Sequence, residues 1–184
     1  MKNLRASVAL IAASLLLPGI AAAHGYTYVD GGVFDRNDDS DLGIRMAGSA
    51  GLAPPLALFG EVADSGPYSQ LSAGAMFHAP IGSGVDFNLG GSMEAVDYGR
   101  ADDVGLGLRV GLRWLVPETR GFELNPELRQ VYVFNDTITS LRANALFAVN
   151  RNFDLQGALQ AGDDDRIEFG MRYSFTPYDA QRSY

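Results

Sequence analysis

Residues 103–116 read DVGLGLRVGLRWLV, and the parity of this stretch decides the fold. One alternate set is Val104, Leu106, Leu108, Val110, Leu112, Trp114 and Val116. The other is Gly105, Gly107, Arg109, Gly111, Arg113 and Leu115. A period of two marks a β-strand with two unlike faces. The apolar face is unbroken, while the opposite face is mostly glycine and arginine. A soluble sheet would turn its apolar face inward and meet water with the other, and glycine beside arginine makes a poor soluble exterior.

The same alternation recurs in ten segments, near 26–34, 42–50, 56–63, 70–79, 85–96, 103–115, 122–134, 137–149, 153–161 and 167–175. The joints between them alternate in character. DRNDDSD (35–41), DSGPYS (64–69), DYGRADD (97–103), NDT (135–137) and GDDDR (162–166) are rich in aspartate. LAPP (52–55), PIGSG (80–84), VPETRG (116–121) and NRN (150–152) carry proline, glycine and asparagine with few acids. Two kinds of turn on alternate ends predict a meander, each strand paired with the next.

Sorting the other segments by parity repeats the opening pattern. Ile44 and Met46 oppose Arg45; Leu71 and Phe77 oppose Gln70, Ser72 and His78; Phe169 and Met171 oppose Glu168 and Arg172. The polar faces carry Arg45, Arg109, Arg113, Arg129, Arg142 and Arg172, balanced by Glu61, Asp86, Glu94, Glu127, Asp154 and Glu168. Equal numbers of opposite charges suit mutual pairing in one enclosed space. An apolar exterior around a polar interior is what lipid rewards. Only a closed barrel can present it, because an open sheet edge in hydrocarbon leaves backbone groups unpaired. The expectation is an all-β, antiparallel, up-and-down transmembrane barrel of about ten strands, with eight as the alternative count. Segment lengths suit tilted membrane strands of about 9–11 residues. Aromatics gather towards both ends in two expected belts. Tyr26, Tyr28, Phe77, Phe87, Trp114, Phe122, Phe147, Phe153 and Phe175 lie at the turn side, and Tyr68, Tyr98, Tyr132, Phe134 and Phe169 near the acidic joints. Two segments fit less well. Pro126 cannot donate to a ladder and predicts a bulge or a rim position, with Gln130 on the lipid face. In 26–34 the faces are ambiguous, and Gly31-Gly32 is a place for a bend.

The ends and the composition agree. Lys2 and Arg5, the apolar run Val8 to Leu17, Pro18 and Ala21-Ala22-Ala23 form the three-part pattern of a secretory signal peptide over 1–23. The run is too short for a spanning helix of about 20 residues. The expected barrel is 24–175, followed by a periplasmic tail, 176–184. Without Lys2 and Arg5 the chain has 12 basic residues against 22 acidic ones, a formal charge of −10, which argues against nucleic acid. There is no cysteine, so disulfides, thiolate metal sites and an N-terminal lipid anchor are excluded, and no cofactor is implied.

The last strand, E-F-G-M-R-Y-S-F over 168–175, is similar to the terminal recognition strand of bacterial outer-membrane barrels, with Glu168, Gly170, Tyr173 and Phe175 at the motif positions. Such a strand is read by the barrel-assembly machinery through edge pairing. TPYDAQRSY (176–184) follows the final aromatic, a departure from the commonest form. With Y-T-Y-V-D-G-G (26–32) and F-E-L-N-P-E-L-R (122–129), the chain resembles short outer-membrane barrel proteins of xanthomonad-type proteobacteria. The resemblance implies the outer membrane of a Gram-negative bacterium and supplies no molecular activity.

Three function classes follow. The first is a structural or narrow-pore barrel, a monomer in lipid and lipopolysaccharide, whose lumen is mostly closed, since barrels near eight strands are filled by side chains. The second is a surface-binding barrel that bridges lipopolysaccharide through divalent cations, with Asp38, Asp39, Asp163, Asp164 and Asp165 as weak metal candidates. The third, a lipid-modifying enzyme, is a poor match. His24 is at the expected mature N-terminus, and Ser72 lies about 20 Å along the strand from His78. A soluble periplasmic barrel of lipocalin kind would reverse the faces. No catalysis is expected.

Overall fold

The computed structural model describes residues 25–36, 42–119 and 121–176. The expected signal segment 1–23, His24, Asp38, Asp39 and nearly all of the expected tail lie outside these residues. Ten strands follow one another: β1 (Tyr28–Arg36), β2 (Gly43–Ala53), β3 (Leu56–Ser65), β4 (Tyr68–Gly82), β5 (Val85–Asp97), β6 (Asp102–Leu115), β7 (Phe122–Val133), β8 (Asp136–Ala148), β9 (Phe153–Gly162) and β10 (Arg166–Ser174). Each pairs antiparallel with the next, and β1 pairs with β10, so the described residues form one closed up-and-down barrel.

Tight turns make this possible. In the β7–β8 hairpin Phe134 and Asn135 both take positive φ, 55° and 58°, the pair of values a type I′ connection needs. In the β3–β4 hairpin Gly66 takes φ 68°, where an L side chain would be strained. The seam is also built on glycine. Gly32 stands opposite Gly170, and a Cβ on either would run into the facing backbone. Gly170 of the terminal motif therefore has a packing partner, Gly32, in the dipeptide where a bend was expected.

Strand positions differ from the expectation where charges sit at strand ends. β1 runs to Arg36 and β10 begins at Arg166, both assigned to loops by their acidic neighbours in the sequence. The reason is tertiary: both arginines reach Asp164. β4 continues through Pro80 to Gly82, with a register shift between them. At Pro126 the structure has neither a bulge nor a rim position. The β6–β7 ladder lapses between Gly111–Glu127 and Trp114–Leu124 and resumes in the same register. The missing amide hydrogen is absorbed by this gap.

The face assignment decides where the core lies. Leu42, Ile44, Met46, Leu89, Met93, Val104, Leu106, Leu108, Leu141, Leu155, Leu159, Ile167, Phe169 and Met171 are exposed on the outside. Gln130 is exposed among them, opposite Leu108. The interior holds two apolar layers. Phe34, Ala63, Tyr68, Val96, Val131 and Val133 cluster towards the acidic-loop end, and Tyr26, Ala57, Phe59 and Met76 towards the turn end. Between them lie Glu61, Glu94 and Arg129 among other charged residues. The ambiguous first strand resolves by parity with Asp30, so that Tyr28, Gly32, Phe34 and Arg36 share its inner face.

This corrects the expected belts. Tyr26, at 2% exposure, and Tyr68 are buried inside. Tyr28 turns inward against Arg172, and Phe134 packs on the inner apolar cluster. Phe77, Trp114, Phe147, Phe153 and Phe175 remain outside at the turn end, with Tyr98, Tyr132 and Phe169 towards the other. The inward tyrosines lie near strand ends, and their parity with Asp30 and Gln70 turns them into the barrel.

Candidate functional site

Every one of the twelve charged residues singled out by parity lies on the inner wall, buried or half-buried. The structure joins most of them in a continuous network. Arg45 donates from Nη1 to Asp30 and from Nη2 to Glu61, both at 2.7 Å. Arg129 reaches Glu61 at 3.1 Å and Glu94 at 2.8 Å. Arg142 holds Glu168 through two parallel bonds of 2.6 and 2.7 Å, the fork geometry guanidinium favours. Arg172 reaches Asp30 at 3.2 Å and Glu123 at 3.5 Å, and Arg113 reaches Glu123 at 2.8 Å.

Glu94 is the most enclosed member, with no exposed surface. It accepts hydrogen bonds from Gln70, Ser72, Ser92 and Arg129. The glycine face of β6 makes room for this. A Cβ on Gly107 would collide with the Ser92 hydroxyl and the Glu94 carboxylate, and one on Gly105 with the Tyr132 carbonyl. Glycine beside arginine thus lets the inner wall come close enough for long charged side chains to meet across it.

Four of the twelve are held differently: Arg109, Glu127, Asp86 and Asp154. Arg109 stacks on Phe59, its guanidinium carbon 4.1 Å from the ring centroid, and lies 4.0 Å from Glu94 and 3.9 Å from Glu127. Asp86 accepts from the Tyr26 hydroxyl at 3.2 Å. Asp154 stands opposite Arg172 across the β9–β10 ladder.

Parity also contained residues left out of the expected set. Glu123 shares the face of Glu127 and Arg129, and it bridges Arg113 and Arg172. Asp30 is the hub between Arg45 and Arg172; its strand had no assigned faces. Arg36 and Arg166 close the acidic-loop end. Arg36 bonds Asp164 at 3.0 Å and lies over the Tyr68 ring at 4.2 Å, while Arg166 pairs with Asp164 and donates to Tyr68.

At the turn end, Gly25 and Tyr26 enter the lumen ahead of β1. Arg113 donates to the Gly25 carbonyl at 2.7 Å. Tyr26 stacks on His78, rings 3.8 Å apart, and donates to Asn88 at 2.8 Å. Burial raises the Tyr26 pKa well above the ordinary phenol value, so it stays a donor. A cavity of about 100 Å³ lies beside it, walled by Arg45, Arg109, Arg113, Arg142 and Arg172 among others. A second cavity, of about 20 Å³, lies near Tyr68, Gln70 and Arg129.

Of the aspartates considered for metal, Asp163, Asp164 and Asp165 do not converge, and Asp38 and Asp39 lie outside the described residues. Asp163 caps the Thr139 amide and Asp165 the Gly162 amide, both at 2.8 Å, and Asp164 turns inward to the arginines. Among the described residues no group of three or more metal-ligating side chains forms. Burial by itself would raise the Asp164 pKa, but Arg166 and Arg36 outweigh it and hold the carboxyl below its usual value. The terminal-motif aromatics lie outside at the turn end, where Tyr173 meets Phe153 and Phe175 edge-on at 5.0 and 5.1 Å.

No family model matches the chain, and no curated protein matches it in sequence. Solved structures do match in fold. The KdgM porin superposes with a TM-score of 0.53 at 13% identity, over 80% of this chain and 99% of that one. The KdgM porin in complex with disordered oligogalacturonate gives 0.54 at 12%, over 80% and 99%. The NanC porin gives 0.50 at 10%, over 79% and 98%. At these identities the likeness is one of architecture, and the chain has the closed, porin-like barrel fold.

Proposed function

We propose that the chain is an integral outer-membrane β-barrel of a Gram-negative bacterium, whose polar lumen is closed at rest to all but the smallest solutes. One observation carries this reading: a barrel without free edges turns apolar side chains outward around its whole circumference and its charges inward. That division of faces suits hydrocarbon outside and is the reverse of a soluble ligand-carrying barrel. Residues 1–23 then serve as the export signal, and 176–184 as a tail on the periplasmic side, with the acidic loops outside the cell. Lipid and lipopolysaccharide are the surroundings, and the protein is a monomer. Glu168, Gly170, Tyr173 and Phe175 serve the assembly machinery during insertion.

Closure rests on the two apolar layers and the ion pairs between them. The role is non-catalytic: Ser72 is bound to Glu94 and Arg129, and His78 is stacked on Tyr26 at the other end of β4. The test is reconstitution of the folded chain in vesicles and then in a planar bilayer. The expected result is a protease-resistant, heat-modifiable band with silence or small, brief openings. A large steady conductance overturns the closed lumen, and failure to enter lipid overturns the membrane reading itself.

A further inference from the structure

We infer that the turn-side cavity binds a small monoanion, a halide or a short carboxylate, seated on the Arg109 guanidinium. Five arginines line this cavity against two carboxylates, Asp30 and Glu127. Four of the five are committed to acids: Arg45 and Arg172 to Asp30, Arg113 to Glu123 and Arg142 to Glu168, at 2.7, 3.2, 2.8 and 2.6 Å. Arg109 is not. The carboxylate oxygens facing it, on Glu94 and Glu127, stand at 4.0 and 3.9 Å, beyond hydrogen-bond reach. Its Nη2 is enclosed on the Glu94 side with no hydrogen-bond partner among the described residues, and its Nη1 stands on the side of Glu127, which lines the cavity.

A guanidinium held only by long ion pairs is costly to bury, and a charge-assisted bond from Nη1 to an anion offsets that cost. The position is built. Phe59 covers one face of the guanidinium. Gly90 leaves room for its stem, since a Cβ there would stand 2.9 Å from Arg109 Cγ. These contacts leave the Nη1 end of the guanidinium, on the Glu127 side, for a ligand. Asn88, on the same wall, spends its oxygen on the Tyr26 hydroxyl and keeps an amide nitrogen to donate. With each water taking about 30 Å³ of liquid volume, the cavity of about 100 Å³ suits one such anion and a water or two.

Chloride-35 NMR line broadening on the full chain folded in detergent micelles tests this, with sodium bromide crystals read by anomalous scattering. The expected result is saturable broadening in the millimolar range, displaced by formate, and one bromide beside Arg109. Arg109→Met should weaken binding by about tenfold or more, the loss of one charge-assisted contact. Glu127→Gln removes a carboxylate from the wall and should tighten binding severalfold. The two variants move in opposite directions, so Glu127→Gln and the bromide position remain decisive if Arg109→Met does not fold. No saturable signal from the parent protein, or the same affinity in parent and folded variants, overturns the proposal and leaves the cavity to water. The measurement needs no bilayer and no conductance, so its failure is distinct from failure of the membrane reading.

Discussion

At the residue scale the structure rests on how buried charges are satisfied. Glu94 is fully enclosed and takes four hydrogen bonds. Glu94→Ala leaves Arg129 buried with one acid, Glu61, and strands the Ser72 and Ser92 hydroxyls. Breaking a buried pair costs about 3–5 kcal/mol, and because Arg129 keeps Glu61 the loss belongs at the lower end of that range. A urea titration followed by Trp114 fluorescence measures it. Asp164 yields a pH dependence of known sign. Its folded pKa is depressed, chiefly by Arg166 working against burial, so it stabilises the fold fully above the unfolded carboxylate value of about 3.9. That contribution disappears as pH falls through the lower folded value. The parent should therefore exceed Asp164→Asn in stability at neutral pH, and the gap should close only in strong acid. A gap that is constant with pH would show that the carboxylate's charge is not the source.

At the element scale, glycine on the β6 inner face is a spacing device. The Gly105 position abuts the backbone carbonyl of Tyr132, which has no flexible end to yield. Gly105→Val should abolish the folded, heat-modifiable band on an unheated gel. Gly91, on the outer face, has only the Gly107 carbonyl near a would-be Cβ, at 3.9 Å, and Gly91→Ala should leave that band unchanged. The loss of both would mean that β-strand glycine acts through backbone freedom rather than through space. The register of β6 on β7 survives Pro126 because the rungs on either side hold the two strands in line.

At the scale of the whole molecule, the outer surface decides stability in lipid. Leu108, near the middle of β6, is exposed outside. Leu108→Arg should cost about 2–4 kcal/mol of insertion free energy, the range for a cation at the bilayer midplane of such a barrel. Its neighbour across the ladder is Gln130, the polar residue noted on that face from the sequence. Gln130→Leu should shift folding in vesicles the opposite way. Reversible folding into lipid, read as the denaturant midpoint, checks both. Equal midpoints for Leu108→Arg and the parent would place this surface in water.

Strand order, a strand number of about ten and, outside β1 and the inward aromatics, the side each residue faces were legible in the sequence, because in a barrel of hairpins all three are local: parity sets the face, and turns set the order. From Arg45 to Arg172 the charges fell on the inner wall by that rule alone. Partners were not legible. Asp30 joins Arg45 and Arg172, and Glu61 joins Arg45 and Arg129, across separations that no spacing encodes. Tyr26 as a lumen residue, the reach of Arg36 and Arg166 to Asp164, and the under-satisfied Arg109 also emerged only when the barrel closed. Local periodicity is a property of one strand. The pairing of charges depends on shear, closure and the depth of each side chain along the axis, which only the assembled wall defines.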